Sequence, residues 1–444
     1  MPFPRHLTPL QAGKNTRNLT NRNVHRQVRD GIEVDFVQNL FYAKAAGRQV
    51  QHVNNIEQLF PYAGTNQGYY RASNGLLVPS VNNVPRIEYD SSNAVQGLLE
   101  EISRANLLLQ SHDQATTWIK SQATVAANSV AGPDGVQIAD TLIEDAAGTF
   151  HLTRQDVAGL AANVRYTFSV FVKAAGRNYC RLQLSNTAEA NGAFVNVDLT
   201  NGTGNVTAFG TGSAQTYSIS SYINGWYRIE LTCIVDAAST TLRSQILLSS
   251  ALGTVNYAGD GVSGIYLWGA QLELGGHATS CIPTTTVPVT RTSETFTRVI
   301  GNEITQGVGT FVVEYRTNNR LTSTFATACS MDDNSTNNRL FMFRNNVGTR
   351  TAGGVSGGVS QFSSAGGDDG SAFRKCVMVY STAGYRNFMN GALIGSVGVS
   401  LVPTVTRLRL GNSAYGADYL NGHIRRFKYF PRVLTDAEAI AETV

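Results

Sequence analysis

Apolar and polar residues alternate with period two through much of the chain. In YTFSVFVKAAGR, Tyr166, Phe168, Val170 and Val172 fall on one face, and Thr167, Ser169 and Lys173 on the other. Phe171 interrupts the polar face. In GWYRIELTCIV, Tyr227, Ile229, Leu231, Cys233 and Val235 alternate with Arg228, Glu230 and Thr232. In GIYLWGAQLEL, Tyr266, Trp268, Ala270 and Leu272 alternate with Leu267, Gly269 and Gln271. This alternation predicts strands with one buried face. Gly- and Asn-rich turns such as NGTGN and YAGDG separate them, so the segment reads as a sandwich or jelly roll. Cys180, with Leu182 and Leu184, and Cys233 then read as small core residues.

The stretch CIPTTTVPVTRTSETF at 281–296 carries Pro283 and Pro288 and marks a domain boundary. Beyond it GTFVVEYR, RLFMFRN, KCVMVYS, TRLRLGN and HIRRFKYF predict a second β domain. Asn390-Gly391 is a two-residue hairpin signal. Thr435 followed by Glu438 forms a capping box and predicts a short helix over about 435–443.

The N-terminal region is different. Residues 1–30 hold Arg5, Lys14, Arg17, Arg22, Arg26 and Arg29 against a single acid, Asp30, and lack apolar periodicity. Such a segment buries too little surface to fold alone. Residues 31–62 are more apolar, and their period does not separate helix from strand. The region reads as a docking arm, with Arg17, Arg22, Arg26, Arg29, Phe36, Leu40 and Phe41 as anchoring residues. Its deletion is expected to leave the two β domains folded.

Composition agrees with an all-β chain. Of 444 residues 42% are hydrophobic, only 15% are charged and 43 are Gly, which argues against helical bundles and charge-rich disorder. The expected fold is two consecutive β-sandwich (jelly-roll) domains behind an extended N-terminal region. The boundaries are 1–62 arm, 63–97 connector, 98–292 first sandwich and 293–444 second. A net charge of +4 is too small to point to nucleic acid. Apolar runs are too short and interrupted for a membrane-spanning helix. The five cysteines are scattered, without a CxxC pair, and read as free thiols.

VPRIEYD at 84–90 and GLLEEISRANLLLQS at 97–111 resemble a signature of bacteriophage tail- and head-fibre proteins, close to PRxDYD…GLLIExSRTNLLxxS. AGPDGVQIADTL at 131–142, YTFSVFVKAAG at 166–176, NGWYRIELT at 224–232 and SGIYLWGAQLELGGHATSCIPTT at 263–285 follow in the same order. Ile102, Ala105 and Cys281 depart from the pattern. The C-terminal block is similar to laminin-G and concanavalin A-like lectin sandwiches through GTFVVEYR, FMNGALIG, LRLGN and LNGHIRRFKYFPRVLTDAE. The resemblance implies a carbohydrate-binding-module-like jelly roll followed by a lectin-like sandwich. It implies a virion structural protein, assembled in the host bacterial cytoplasm and carried on the particle. Its expected partners are capsid, neck or tail proteins, bacterial surface polysaccharide and further copies of itself, in a homotrimer. The rival readings are a decoration or adaptor protein without glycan affinity, and a depolymerase.

For catalysis the sequence offers little. Glu100 and Glu101 are neighbours and face opposite sides of a strand, so they are not an acid pair. No GxSxG occurs and the seven His are isolated. The protein is expected not to be an enzyme. Trp118, Tyr179, Tyr385 and Tyr415 are the candidate glycan platforms, while Trp226 and Trp268 are expected in the core. No cofactor is expected. Calcium is the one metal with candidate loops, at Asp332-Asp333 and Asp368-Asp369, where turn-making is the competing role.

Overall fold

The computed structural model describes residues 30–48, 50–64, 67–318, 325–345, 348–366, 372–414, 416 and 418–444. They form an all-β protein of two sandwiches, with a single short α-helix among the described residues.

The first sandwich packs two six-stranded antiparallel sheets. One runs, in spatial order, Ile119–Ser121, Leu152–Val157, Leu242–Ser249, Tyr179–Asn186, Gly192–Asp198 and Thr203–Phe209. The other runs Ala123–Val130, Ala139–Glu144, Gly264–Leu274, Tyr166–Ala175, Tyr227–Ile234 and Ser213–Ser221. Phe168, Val170, Val172, Leu182, Leu184, Ile229 and Leu231 fill the space between them. The alternation of the sequence is thus the inward–outward pleat of these strands. Phe171 breaks the polar face because that face is covered too. It packs with Trp226, Trp268, Cys281 and Leu77, the last from the hairpin Tyr69–Arg71/Leu77–Pro79.

The strand Gly264–Leu274 departs from simple alternation. Its pairing with Tyr166–Ala175 shifts register between Ser169 and Phe171, beside Gly269 at φ 64°. A bulge adds one residue and exchanges the faces. Ile265, Leu267, Ala270 and Leu272 therefore line the main core, and Trp268 turns to the outer layer instead of sharing a face with Ala270 and Leu272.

The second sandwich is not confined to the C-terminal region. Its larger sheet runs Gln51–Val53, Leu40–Lys44, Gly31–Asp35, Gly422–Phe430, Val308–Thr317, Arg374–Ser381, Gly384–Met389 and Ala392–Val397. Gly422–Phe430 also pairs with Val95–Glu100, which is in a hairpin with Ile87–Tyr89. The facing sheet ends on Thr295–Val299 and Tyr62–Ala63. Residues expected in the arm are therefore part of the fold. Phe36 and Phe41 lie in its core with Ile32, Val34, Ile56, Leu59 and Phe60, while Leu40 is half-buried at a strand end. The physical reason is the edge of Gly422–Phe430. Its backbone groups pair with Gly31–Asp35, in the register Ile32 to Tyr429 and Asp35 to Arg426, and this buries the apolar face of the segment. Arg17, Arg22, Arg26 and Arg29 lie outside the described residues.

The helix Asp436–Ala441 carries the expected capping box, with Thr435 Oγ1 accepting from the Glu438 amide at 3.3 Å. It covers Val312, Val377, Phe388 and Phe430 on the outer face of the larger sheet. The Asn390-Gly391 turn has φ of 52° and 74°, the left-handed pair that a two-residue hairpin requires. All five cysteines are buried free thiols, and burial pushes those of Cys180, Cys233 and Cys281 up to about 12.

Candidate functional site

The two sandwiches meet at a seam fixed by buried charge. Arg86 donates through Nε to Glu294 Oε1 at 2.6 Å and through Nη1 to Glu101 Oε2 at 2.7 Å and Ser280 Oγ at 2.8 Å. Glu294 Oε2 accepts the Glu101 amide at 2.9 Å, and Glu101 Oε1 accepts the Ser280 amide at 2.8 Å. Arg291 stands 3.5 Å from Glu101. Burial raises the Glu101 carboxyl, but Arg291 and Arg86 outweigh it and hold it well below the usual range. The motif VPRIEYD…GLLEE, which resembles a fibre signature, thus supplies the joint between the sandwiches.

Beside this joint lies a cleft of about 490 Å³. The first sandwich contributes Thr216, Tyr217, Ser218, Ser220, Glu230 and Thr232, from two neighbouring strands. The turn after Leu274 adds Gly276, His277 and Ala278, and the second sandwich adds Arg316, Thr317 and Asn318. Alternation puts Thr216, Ser218 and Ser220 on the outer face with Glu230 and Thr232, while Tyr217, opposite Leu231, lies on the inner face at the sandwich edge. Tyr217 is 40% exposed and its hydroxyl donates to Gly204 O at 2.5 Å. A smaller chamber of about 140 Å³ continues inward, shares Glu230, Ala278 and Asn318 with the cleft, and reaches Glu88, Glu101 and Arg228.

The acids here are held by partners. Glu88 accepts from His423 Nε2 at 2.6 Å, and Arg316 Nε faces His423 Nδ1 at 3.3 Å. Burial raises the Glu88 carboxyl, but the His423 hydrogen bond together with the charges of His423 and Arg86 outweighs it and leaves the carboxyl below its ordinary value. Glu230 accepts the Ala278 amide at 3.3 Å. Burial above all, with Arg104 beside it, lowers His277 to about 4, so it is neutral at pH 7; it meets the Asn421 amide at 2.5 Å. Hydroxyls, an amide and a guanidinium form a lining suited to a polyol, with its vicinal hydroxyls as hydrogen-bond partners. Glu88 and Glu101 are both kept ionised, so neither has the raised pKa of a glycosidase general acid.

The platforms expected from sequence are elsewhere. Trp118 is 1% exposed, and its Nε1 donates to the Leu109 and Gln110 carbonyls at 3.2 and 3.3 Å. Tyr385 is fully buried, stacks on Phe362 at 5.6 Å and donates to Leu401 O at 2.6 Å. Neither ring offers a free face, because each packs in a core and satisfies its polar atom there. Tyr179 is half-buried at the start of its strand. Tyr415 lies outside the described residues. Asp332 is fully buried and accepts from Arg409 Nε and the Asn334 amide, both at 2.9 Å. Asp333 accepts from the Ser335 amide and Asn338 Nδ2, also at 2.9 Å. Both are turn-forming acids with their oxygens engaged, and Asp368 and Asp369 lie outside the described residues. Among the described residues, no group of three or more His, Cys, Asp or Glu is placed to hold a metal ion.

Residues 309–440 match the family model described as the concanavalin A-like lectin/glucanases superfamily, so the C-terminal part of the second sandwich is similar to that superfamily. No curated protein sequence matches the chain. Among solved structures, the Ruminococcus gnavus IT-sialidase CBM40 bound to alpha2,6 sialyllactose is 18% identical, at TM-score 0.28, over 31% of this chain and 84% of that one. Domains LG4-5 of the mouse laminin alpha1 chain are 9% identical, at TM-score 0.22, over 64% and 90%. The CBM22-1-CBM22-2 tandem of Paenibacillus barcinonensis Xyn10C is 10% identical, at TM-score 0.24, over 75% and 92%.

Proposed function

We propose that this protein is a non-enzymatic glycan-binding component of a phage particle, a fibre or spike that engages bacterial surface polysaccharide in the cleft between its sandwiches. The observation that carries the reading is the cleft itself: a polyol-compatible lining drawn from both sandwiches and fixed by the buried Arg86–Glu101–Glu294 joint. The lectin-superfamily match of 309–440 and the fibre-like motifs at 84–285 support it. Single-site affinity in such a cleft is weak, and a trimer of copies raises it through multivalency. The residues before Gly31 are the proposed contact with other virion proteins.

Host polysaccharide titrated into the intact chain and into Ser218→Val tests this. Loss of a lining hydroxyl should weaken binding about fivefold, ~1 kcal/mol, with little change in melting temperature. Equal binding by both proteins places the ligand elsewhere. No binding by either, with normal incorporation into particles, identifies a decoration protein.

A further inference from the structure

A buried donor beside the cleft is left without a partner. Arg228 is 7% exposed; its Nη2 donates to Ser169 Oγ at 3.1 Å, and its Nε has no hydrogen-bond partner. It lines the inner chamber of about 140 Å³ and not the cleft itself. The strand register places it there. On the outer face of its sheet Arg228 stands opposite Ser220 and Phe171, and Glu230, two residues on, stands opposite Ser218 and Ser169. The serines of these two rungs border the cleft.

The chamber has an order along its length. Glu230, Ala278 and Asn318 are shared with the cleft and form the mouth. Arg228 lies beyond them, with its guanidinium carbon 5.3 Å from the centre of the Phe171 ring. Leu77, Phe171 and Cys281, members of the outer apolar cluster, line the space away from the mouth. A cavity of about 150 Å³ takes a benzene molecule, so the chamber admits a short substituent and not a whole sugar ring with its hydroxyls.

From the mouth inward the walls offer an acceptor, a donor and an apolar surface. An acetamido group presents the complement in the same sequence: an N–H next to the sugar ring, then a carbonyl oxygen and a methyl. A carboxylate brings no donor for Glu230, and it would share the chamber with Glu88 and Glu101, which are ionised. A hydroxymethyl group has no methyl for the apolar end.

We propose that the chamber is a specificity pocket for the acetamido group of an N-acetylated amino sugar. The inference rests on the glycan-binding reading above and names the sugar class. The ring lies in the cleft beside Ser218 and Ser220, its acetamido N–H donates to Glu230, and the carbonyl oxygen accepts from Arg228 Nε. The methyl packs against Leu77, Phe171 and Cys281. The gain over a plain hexose comes from giving a buried donor its acceptor.

The test titrates the full chain by NMR with N-acetylglucosamine, N-acetylgalactosamine, their parent hexoses, glucosamine and glucuronic acid. One of the N-acetylated sugars should bind about tenfold or more tightly than its parent hexose, and its methyl protons should receive the strongest saturation from the protein. Arg228→Lys keeps the charge, removes the Nε donor and should bring the two sugars level. If that variant fails to fold, Ala278→Leu, which narrows the mouth, should do the same. Equal binding of N-acetylated and parent sugars by the wild type overturns the inference, as does tighter binding of glucosamine or glucuronic acid, or a preference that survives in the variant that folds. Host polysaccharide titrated alongside separates the two levels. Bound polysaccharide without a preference among the sugars removes the pocket and leaves the glycan reading standing; no binding of polysaccharide or of any sugar removes both.

Discussion

The two sandwiches are built to opposite plans. The first is drawn from one run of chain, Ile119 to Leu274, and every strand of its two sheets finds its partners within that run. The second gathers Gly31–Ala63, Ile87–Glu100 and Thr295–Phe430, so that Arg426 grips Asp35 across almost the whole chain at 2.7 Å. The difference teaches that a domain boundary drawn along the sequence holds only where all the partners of a sheet come from one run of chain. The chain between the parts of the second sandwich passes through the first, so the second is not complete until the ends have met.

The largest effect that would break this contrast is removal of residues 1–63. It deletes four strands and the core side chains Ile32, Val34, Phe36, Phe41, Ile56, Leu59 and Phe60. Since single large-to-small changes in a core cost ~2–5 kcal/mol and whole domains hold ~5–15, the second sandwich should unfold. The first should persist, seen by calorimetry and limited proteolysis as loss of one transition. Two surviving transitions would restore the arm as a separate element.

The joint comes next. Arg86→Ala strands two buried carboxylates and should cost ~3–5 kcal/mol. A double-mutant cycle with Glu294→Ala should be strongly non-additive. Additive losses would show that the sandwiches do not depend on this contact.

Acid should act on the seam more gently. His277 sits at about 4 when folded against an ordinary 6.5. Because the folded value is depressed, this group destabilises the fold as pH falls from 6.5 towards 4, where the unfolded chain takes a proton that the folded one refuses. The sign is the reverse of that for a salt-bridged histidine. His277→Gln should flatten that part of the pH–stability curve, and an unchanged slope would assign it to other groups, of which His112, also lowered to about 4 by burial, is the first to examine. The smallest effect is Thr435→Ala, which removes one half of the capping box for ~1 kcal/mol and should touch only the second sandwich.

Much of the first sandwich was legible because period two maps directly onto its pleat, as at Phe168, Val170 and Val172. The failure at Trp268 came from a bulge beside Gly269, which changes faces without altering residue type. Residues 31–63 were not legible as strands because short apolar runs carry no decisive period, and their partners lie far along the chain. The cleft was hidden for the same reason. Ser218 and Arg316 are ordinary strand residues until the joint brings their sandwiches together. Aromatic residues singled out by type, Trp118 and Tyr385, went to the cores, where large rings usually pack.

Gly31–Asp35 and Val95–Glu100 lie end to end along the same edge of Gly422–Phe430, with the Phe36 amide bonded to Arg425 O at 3.0 Å between them. Mechanically this is a spliced cable, in which one strand bridges the nick between two others. Tension applied from the leader towards the first sandwich runs lengthwise through the bridging strand, so its bonds are sheared together instead of being unzipped singly. A tether entering at Asp30 is thereby coupled to the rest of the molecule through its most cooperative direction.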